Sequence, residues 1–508
     1  MSLSSGARLE VKNNTADDHG GGVYLTGGAI LEVSESKTQL LINNNKQIKK
    51  NTASSGGGGG LFASQVKTTV SLSSGSHTNI TDNYAEVNGG GLYFEKTAKL
   101  KVFGSRTLLS IDKNMALETG GGISTNQAST IVAAGAKCNI TNNIAKTKPG
   151  GGFLLQDRST LSVFGKDTLV SIDRNIAQLS NGGGLAAQTQ SSVTIRLGAR
   201  FDVVNNMAPN IDPNEILGGG GGGMFFQDIG TRLDVKGISK KKSRRTSHAD
   251  QFDTADRAFI NKLEALENNN DGSKTELNLK NNIAGASGGG MSIRSGAVID
   301  VASQNTFFNN TAVGKNGGGF AYGDSGGKQD GGTNCVQLSL RLQIDGDKNV
   351  DYAGVERSGA EGTALTIRTV PNTALFFSTK EATTGDMRQQ INHKNTKWCI
   401  PCGSYKFIVE TPPFYFLPKK SYVTLAIARG GEVGNKIPLV SSTNFFQQLK
   451  SKVEHHIDIP CVEQGVRLKH SRFIQNQAGQ NGGAIATPDK FKNAFFELEN
   501  ITFVDNVA

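Results

Sequence analysis

Ile80-Thr81-Asp82-Asn83-Tyr84-Ala85-Glu86-Val87-Asn88-Gly89-Gly90-Gly91-Leu92 holds two signatures in a fixed order, and their recurrence decides the fold. The first is an apolar residue, two variable residues, Asn, one further residue, then Ala. It returns as Ile111-Asp112-Lys113-Asn114-Met115-Ala116, Ile140-Thr141-Asn142-Asn143-Ile144-Ala145, Ile172-Asp173-Arg174-Asn175-Ile176-Ala177 and Val203-Val204-Asn205-Asn206-Met207-Ala208. Looser copies surround Asn14, Asn51, Asn282, Asn310, Asn476 and Asn506. The second signature is a glycine cluster running into an apolar residue, marked by Gly91, Gly122, Gly152, Gly184, Gly223, Gly290, Gly319 and Gly483. From Asn83 to Asn206 the marked asparagines stand 31, 29, 32 and 31 residues apart.

Each period contains short apolar stretches with strand-like alternation, such as Thr130-Ile131-Val132 and Leu161-Ser162-Val163,. No period contains an amphipathic helix, which excludes helical-hairpin repeats and horseshoes with helical backs. One such unit cannot bury its apolar side alone. Stacked coils can, each adding strands to the coil below at a spacing of about 4.8 Å. The sequence therefore predicts an all-β, right-handed parallel β-helix solenoid. In it Asn83, Asn114, Asn143, Asn175, Asn206, Asn282, Asn310, Asn476 and Asn506 stack at an inward bend, each amide bonding its neighbour and the turn backbone. The marked glycines serve a turn of positive φ where successive coils approach closely. Asp82, Lys113, Asn142, Arg174 and Asn205 face outward, with Asp82 against Lys113 on the next coil.

The regular coils are expected over 1–237, 276–325 and 461–508. Between the first two lies a basic loop, 238–275, containing Lys240-Lys241-Lys242-Ser243-Arg244-Arg245 and then Phe259, Ile260, Leu263 and Leu266 at the spacing of one face of a short helix,. Between the last two lies a β-rich insertion, 326–460, with Thr366-Ile367-Arg368-Thr369-Val370, Tyr405-Lys406-Phe407-Ile408-Val409 and Tyr422-Val423-Thr424-Leu425-Ala426-Ile427. An inserted β-domain is preferred there over coils with long loops, because functional elements are commonly grafted on rigid solenoids.

Bulk composition agrees with a repeat protein. Hydrophobic residues are 36% and glycine is 64 of 508, too much for an ordinary globular domain and without collagen's strict period,. The net charge is +10, yet no helix-turn-helix, finger or aromatic stacking pattern accompanies the basic run, so nucleic acid is not an expected partner. No stretch of 18 apolar residues offers a membrane-spanning helix. Met1-Ser2-Leu3-Ser4-Ser5-Gly6 has no apolar secretory core, and the chain begins and stops in mid-repeat, which leads to the expectation of a segment of something larger,.

The paired signatures resemble the repeats of the chlamydial polymorphic membrane protein family, over roughly residues 9 to 320 and 461 to 508. The likeness is clearest at Phe473-Ile474-Gln475-Asn476 with Gly482-Gly483-Ala484-Ile485, and at Phe503-Val504-Asp505-Asn506. Elsewhere a third Gly replaces Ala and Ile replaces Phe. The resemblance implies a β-helix of the kind found in autotransporter passengers, and a surface-exposed adhesin.

Parallel β-helices also include polysaccharide lyases and hydrolases, which need an acid/base pair or a carboxylate-bound cation. Asp112 and Asp173 share a ladder position but lie two coils apart, about 10 Å, with Thr141 between them,. In the insertion Glu410, His455, His456 and Asp458 are the best-placed titratable residues, though adjacent histidines on a strand face opposite ways,. No catalytic, metal or cofactor site is assigned. Tyr93, Phe94, Phe153 and Phe225 are the candidates for solvent-facing aromatics in a sugar-binding row. Cys399 and Cys402 have the spacing of a redox pair but run into turn and strand, so a disulfide is expected, with Cys335 and Cys461 as a second pair,. Cys138 fills a buried position in a coil. Glycosylation-type patterns occur at Asn13, Asn79, Asn139, Asn309 and Asn500, in a chain rich enough in Asn and Thr for chance matches to be common,. The function expected is an extracellular structural or adhesive stalk, with a protein or glycan surface as partner or end-to-end self-association. The alternative is a polysaccharide-binding or polysaccharide-cleaving β-helix.

Overall fold

A computed structural model describes residues 1–48, 56–209, 220–236 except 229, 274–323 except 295 and 315, 465–487 and 495–508, with the backbone of eight strands between 335 and 459. They fall in two compact units, 1–328 with 464–508, and 329–463.

The first unit is a right-handed parallel β-helix of three parallel sheets. A representative coil contributes Lys99–Phe103, Leu108–Asp112, Met115–Ala116 and Ile123–Asn126. The first two belong to the widest sheet, which therefore has two rows side by side, a leading row and a trailing row. Met115–Ala116 belongs to a sheet of ten two-residue strands, and Ile123–Asn126 to a ten-stranded closing sheet. Alternation sets the facing. Leu100, Val102, Leu109 and Ile111 point inward and are buried, while Lys99, Lys101, Ser110 and Asp112 are only partly so,.

Within the paired strands side chains lie over their counterparts. In the trailing row Ile80 pairs with Ile111, then Ile140, Ile172, Val203, Leu279, Phe307, Phe473 and Phe503. The aliphatic ladder thus becomes an aromatic one, with Phe307 and Phe473 stacked at 4.4 Å between ring centres and Phe503 continuing at 5.4 Å. This inward ladder carries on across both long excursions, with one register shift, between Ala302 and Asn305, where Val298–Phe308 pairs with Gly465–Ile474. Val203 pairs with Leu279 and Phe307 with Phe473, as if the intervening residues were absent. The expected basic run and short helix of 238–275 lie outside the described residues.

The second unit is built differently. Phe376–Phe377, Lys397–Pro401, Cys335–Gln343, Ser421–Ile427 and Gly434–Leu439 form one antiparallel sheet in that order. Thr366–Val370, Gly403–Glu410 and Lys452–Ile459 form another, also antiparallel.

Candidate functional site on the coil surfaces

The asparagine ladder organises everything outside it. Asn114 Nδ2 donates to Asn143 Oδ1 at 3.0 Å, and the Asn114 backbone N–H donates to the same oxygen at 2.9 Å. The second Nδ2 proton serves the carbonyls of Ile80 and Asp112 at 2.9 and 3.0 Å. The same pattern runs from Asn14 through Asn45, Asn83, Asn114, Asn143, Asn175, Asn206, Asn282, Asn310 and Asn476 to Asn506, with each Nδ2–Oδ1 bond between 2.8 and 3.1 Å. A buried amide is tolerated because each of its atoms is bonded.

The second coil departs from the expected reading. Its ladder residue is Asn45, and Asn51 lies outside the described residues. Gln47 takes the buried place that Ala holds in the other coils, and its Oε1 accepts the Glu86 N–H at 3.2 Å.

The glycine triplet divides its work. Positive φ belongs to the first glycine, +61° at Gly89 and +59° at Gly120. Close approach to the next coil is imposed on the second and third: a Cβ on Gly121 would stand 2.5 Å from the Gly151 carbonyl oxygen, and one on Gly122 2.7 Å from the Gly152 carbonyl oxygen and 3.0 Å from the Asn143 amide. Gly91, Gly152, Gly184, Gly223, Gly290 and Gly319 face equivalent neighbours, whereas Gly483 holds the middle place of its cluster against Val507. A second left-handed position carries no glycine. It is the residue before each ladder asparagine, including Asp82, Lys113, Asn142, Arg174 and Asn205 at φ between +53° and +55°. This row does face outward, and its asparagines bond to the neighbouring coil, while its basic members pair locally. Lys113 Nζ lies 3.9 Å from Asp112 rather than against Asp82, and Arg174 lies 3.1 Å from Asp173.

Three outward surfaces result. The closing sheet is not an aromatic platform. Phe94 and Phe153 point into the core, while Tyr93 and Phe225 lie on the outer side, and all four are at most 3% exposed. Tyr93 Oη donates to Glu95 Oε2 at 3.2 Å, and burial with the nearby Glu95 charge pushes its phenol well above the ordinary range. Phe225 packs on Leu154 and Ala186, with the Arg294 guanidinium 5.4 Å above its ring. At the first coils His19 stacks on Phe62 at 4.3 Å, and desolvation holds its imidazole pKa down.

The leading row carries a lane of charge that no sequence pattern announced. Asp234 and Asp300 stand in register on adjacent coils and are nearly fully buried. Asp234 is met by Arg196 at 2.5 Å and by Lys236 at 3.2 Å, while Asp300 is met by Lys236, Arg467 and Arg232 at 3.3, 3.6 and 3.7 Å. Arg467 continues to Glu497 at 2.7 Å. Burial works against the Asp234 charge, but Arg196, Lys236 and Arg232 outweigh it and hold the carboxyl below the usual range,. The lane ties together coils that bracket both excursions.

The trailing row is the open surface. Its outward positions run Asn79, Ser110, Asn139, Ser171 and Asp202, and the row closes over at Asn278, which is buried. Beside them Asp112 accepts hydrogen bonds from Thr141 and Asn142, both at 2.7 Å, and Asp173 accepts one from Asn205 at 2.9 Å. Register puts Thr141 between the two carboxylates. Both are thus engaged in surface pairing and share no site.

No family model, curated protein or solved structure matches this chain. What it shows of the resemblance drawn from its tetrapeptides is the architecture, a parallel, repeating all-β fold of the β-helix class. Among the described residues no group of three His, Cys, Asp or Glu side chains could hold a metal ion, and no helix is long and apolar enough to cross a membrane. In the second unit Glu410 stands opposite Lys452, His455 opposite Phe407, His456 opposite Lys406 and Asp458 opposite Ser404. The expected disulfides are corrected. Among the described residues no two cysteines stand at bonding distance, and Cys138 is free and buried, its thiol pushed up to about 12 by desolvation. Strand register sets Cys335 opposite Pro401 and Cys399 opposite Gln337, while Cys402 and Cys461 lie outside the described residues.

Proposed function

We propose that this chain is an extracellular structural and adhesive stalk whose partner is a protein or glycan surface. The observation that supports it most is the amide ladder, continuous from Asn14 to Asn506 through sequence steps of 76 and 166 residues. Such a scaffold stays rigid while the chain leaves and rejoins it, which is what a carrier of grafted elements requires. The alternative, a polysaccharide-binding or polysaccharide-cleaving β-helix, loses its aromatic row, since Tyr93, Phe94, Phe153 and Phe225 are buried, and sugar stacking needs an accessible ring face.

Beads coated with the full chain are expected to adhere to the source cells or their neighbours several-fold more than beads coated with heat-unfolded chain. Equal retention sinks the adhesive part. Labelling of intact source cells with a membrane-impermeant reagent tests location, and a chain beyond its reach sinks the extracellular part.

A further inference from the structure

We propose that the open trailing row carries N-linked glycans at Asn79 and Asn139 and that its borders carry them at Asn13, Asn309 and Asn500. The proposal rests on the extracellular reading above. Each residue opens an Asn-x-Thr sequence: Asn13-Asn14-Thr15, Asn79-Ile80-Thr81, Asn139-Ile140-Thr141, Asn309-Asn310-Thr311 and Asn500-Ile501-Thr502,. Matches of this kind are expected by chance in such a composition, so the case stands on where the fold puts them.

All five lie on one side. Asn79 and Asn139 are mid-strand in His77–Thr81 and Lys137–Thr141, flanked by the buried pairs Thr78 and Ile80, and Cys138 and Ile140. Alternation then turns both asparagines outward. Neither amide is held by another described group. Asn13 and Asn309, at φ +57° and +49°, occupy the bend at the far border of the same row. Asn500, at φ +53°, is at the turn leading into Thr502–Val504.

Their spacing suits sugars. Counted along the ladder asparagines, the five fall on the first, third, fifth, ninth and eleventh coils and never on neighbours. Adjacent coils are about 4.8 Å apart, too close for two sugar rings abreast, whereas two coils give about 10 Å. In the lane itself the register runs Asn79, Ser110, Asn139, Ser171, so a small side chain separates and follows the two acceptors. The buried ladder never competes. Two residues after each ladder asparagine stands Ala, or Gln47 in the second coil, so none is an acceptor and no sugar is attached where it would wedge coils apart.

In the transfer, the asparagine Nδ2 bonds to the anomeric carbon of an oligosaccharide carried on a lipid diphosphate. The anomeric C–O bond breaks, the lipid diphosphate leaves with the electron pair, and one amide proton passes to a base. The sugars then screen the trailing row, leaving partner contacts to other parts of the chain.

The test is peptide mass mapping of the full chain purified from its source cells, before and after enzymatic release of N-glycans in heavy-oxygen water, alongside impermeant labelling of the intact cells. Most copies are expected to carry hexose-containing mass at Asn79 and Asn139 that converts to labelled aspartate. Bare asparagine at both positions overturns the proposal, whatever the state of the other three. Thr81→Ala is expected to abolish the sugar at Asn79 and spare that at Asn139; sugar persisting at Asn79 in this variant also overturns it. A chain labelled at the cell surface but bare at both sites defeats the glycan proposal and leaves the stalk standing.

Discussion

A single ladder amide serves three coils. Asn143 Oδ1 accepts two bonds from Asn114, and its Nδ2 serves Asn175 and the Ile111 carbonyl. Asn143→Ala therefore strands two buried donors of Asn114 and removes the side-chain bond to the Ile111 carbonyl. A loss of about 3 kcal/mol or more is expected, at about 1–3 kcal/mol per unsatisfied group, read as a lower denaturation midpoint. The position just before the ladder offers the opposite. Lys113 sits at φ +54°, where most side chains are strained by about 1–2 kcal/mol and Asn much less. Lys113→Asn is expected to raise the midpoint by up to about 1 kcal/mol; a fall would show that its contact with Asp112 outweighs the strain. The ladder was legible because a buried, self-satisfied amide repeats at the coil period. Asn45 was hidden by Gln47, which breaks the Asn-x-Ala signature. The left-handed row was hidden because Lys113 and Arg174 give no hint of positive φ.

Strands show where alternation stops informing. In Leu92–Glu95 all four residues are buried, so the period of two that marks a half-exposed strand is absent and Tyr93 reads like its exposed counterparts. The charged lane was illegible for another reason: Asp234, Asp300 and Arg467 are far apart in sequence and meet only through register. The Asp234 pKa is lower folded than unfolded, so its stabilisation is complete above the ordinary carboxylate value near 4 and fades as pH falls through the folded value. Asp234→Asn is expected to cost about 2 kcal/mol at neutral pH. Its denaturation midpoint should fall less steeply than the parent's on acidification below pH of about 4. Parallel curves would show that Asp234 is not the titrating group.

At the scale of the molecule, neighbour-to-neighbour stabilisation makes the coils indifferent to what lies between them in sequence. Replacing 329–463 by a short Gly/Ser linker is expected to keep the Asn310–Asn476 bond, read as unchanged slow hydrogen exchange of the Asn310 backbone amide, which donates to Asn476 Oδ1. Exchange as fast as in an unfolded chain would mean that the second unit holds the last coils in place. One property of the amide row reaches further. Along the row each Nδ2 donates to the amide of the following coil and each Oδ1 accepts from that of the preceding one, so the side-chain dipoles add head to tail instead of cancelling. The rod has an electrical sense, as a crystal has a polar axis, and a coil laid in upside down would set donor against donor. Gene duplication of whole coils can therefore lengthen it freely, while any inversion is rejected at the first amide.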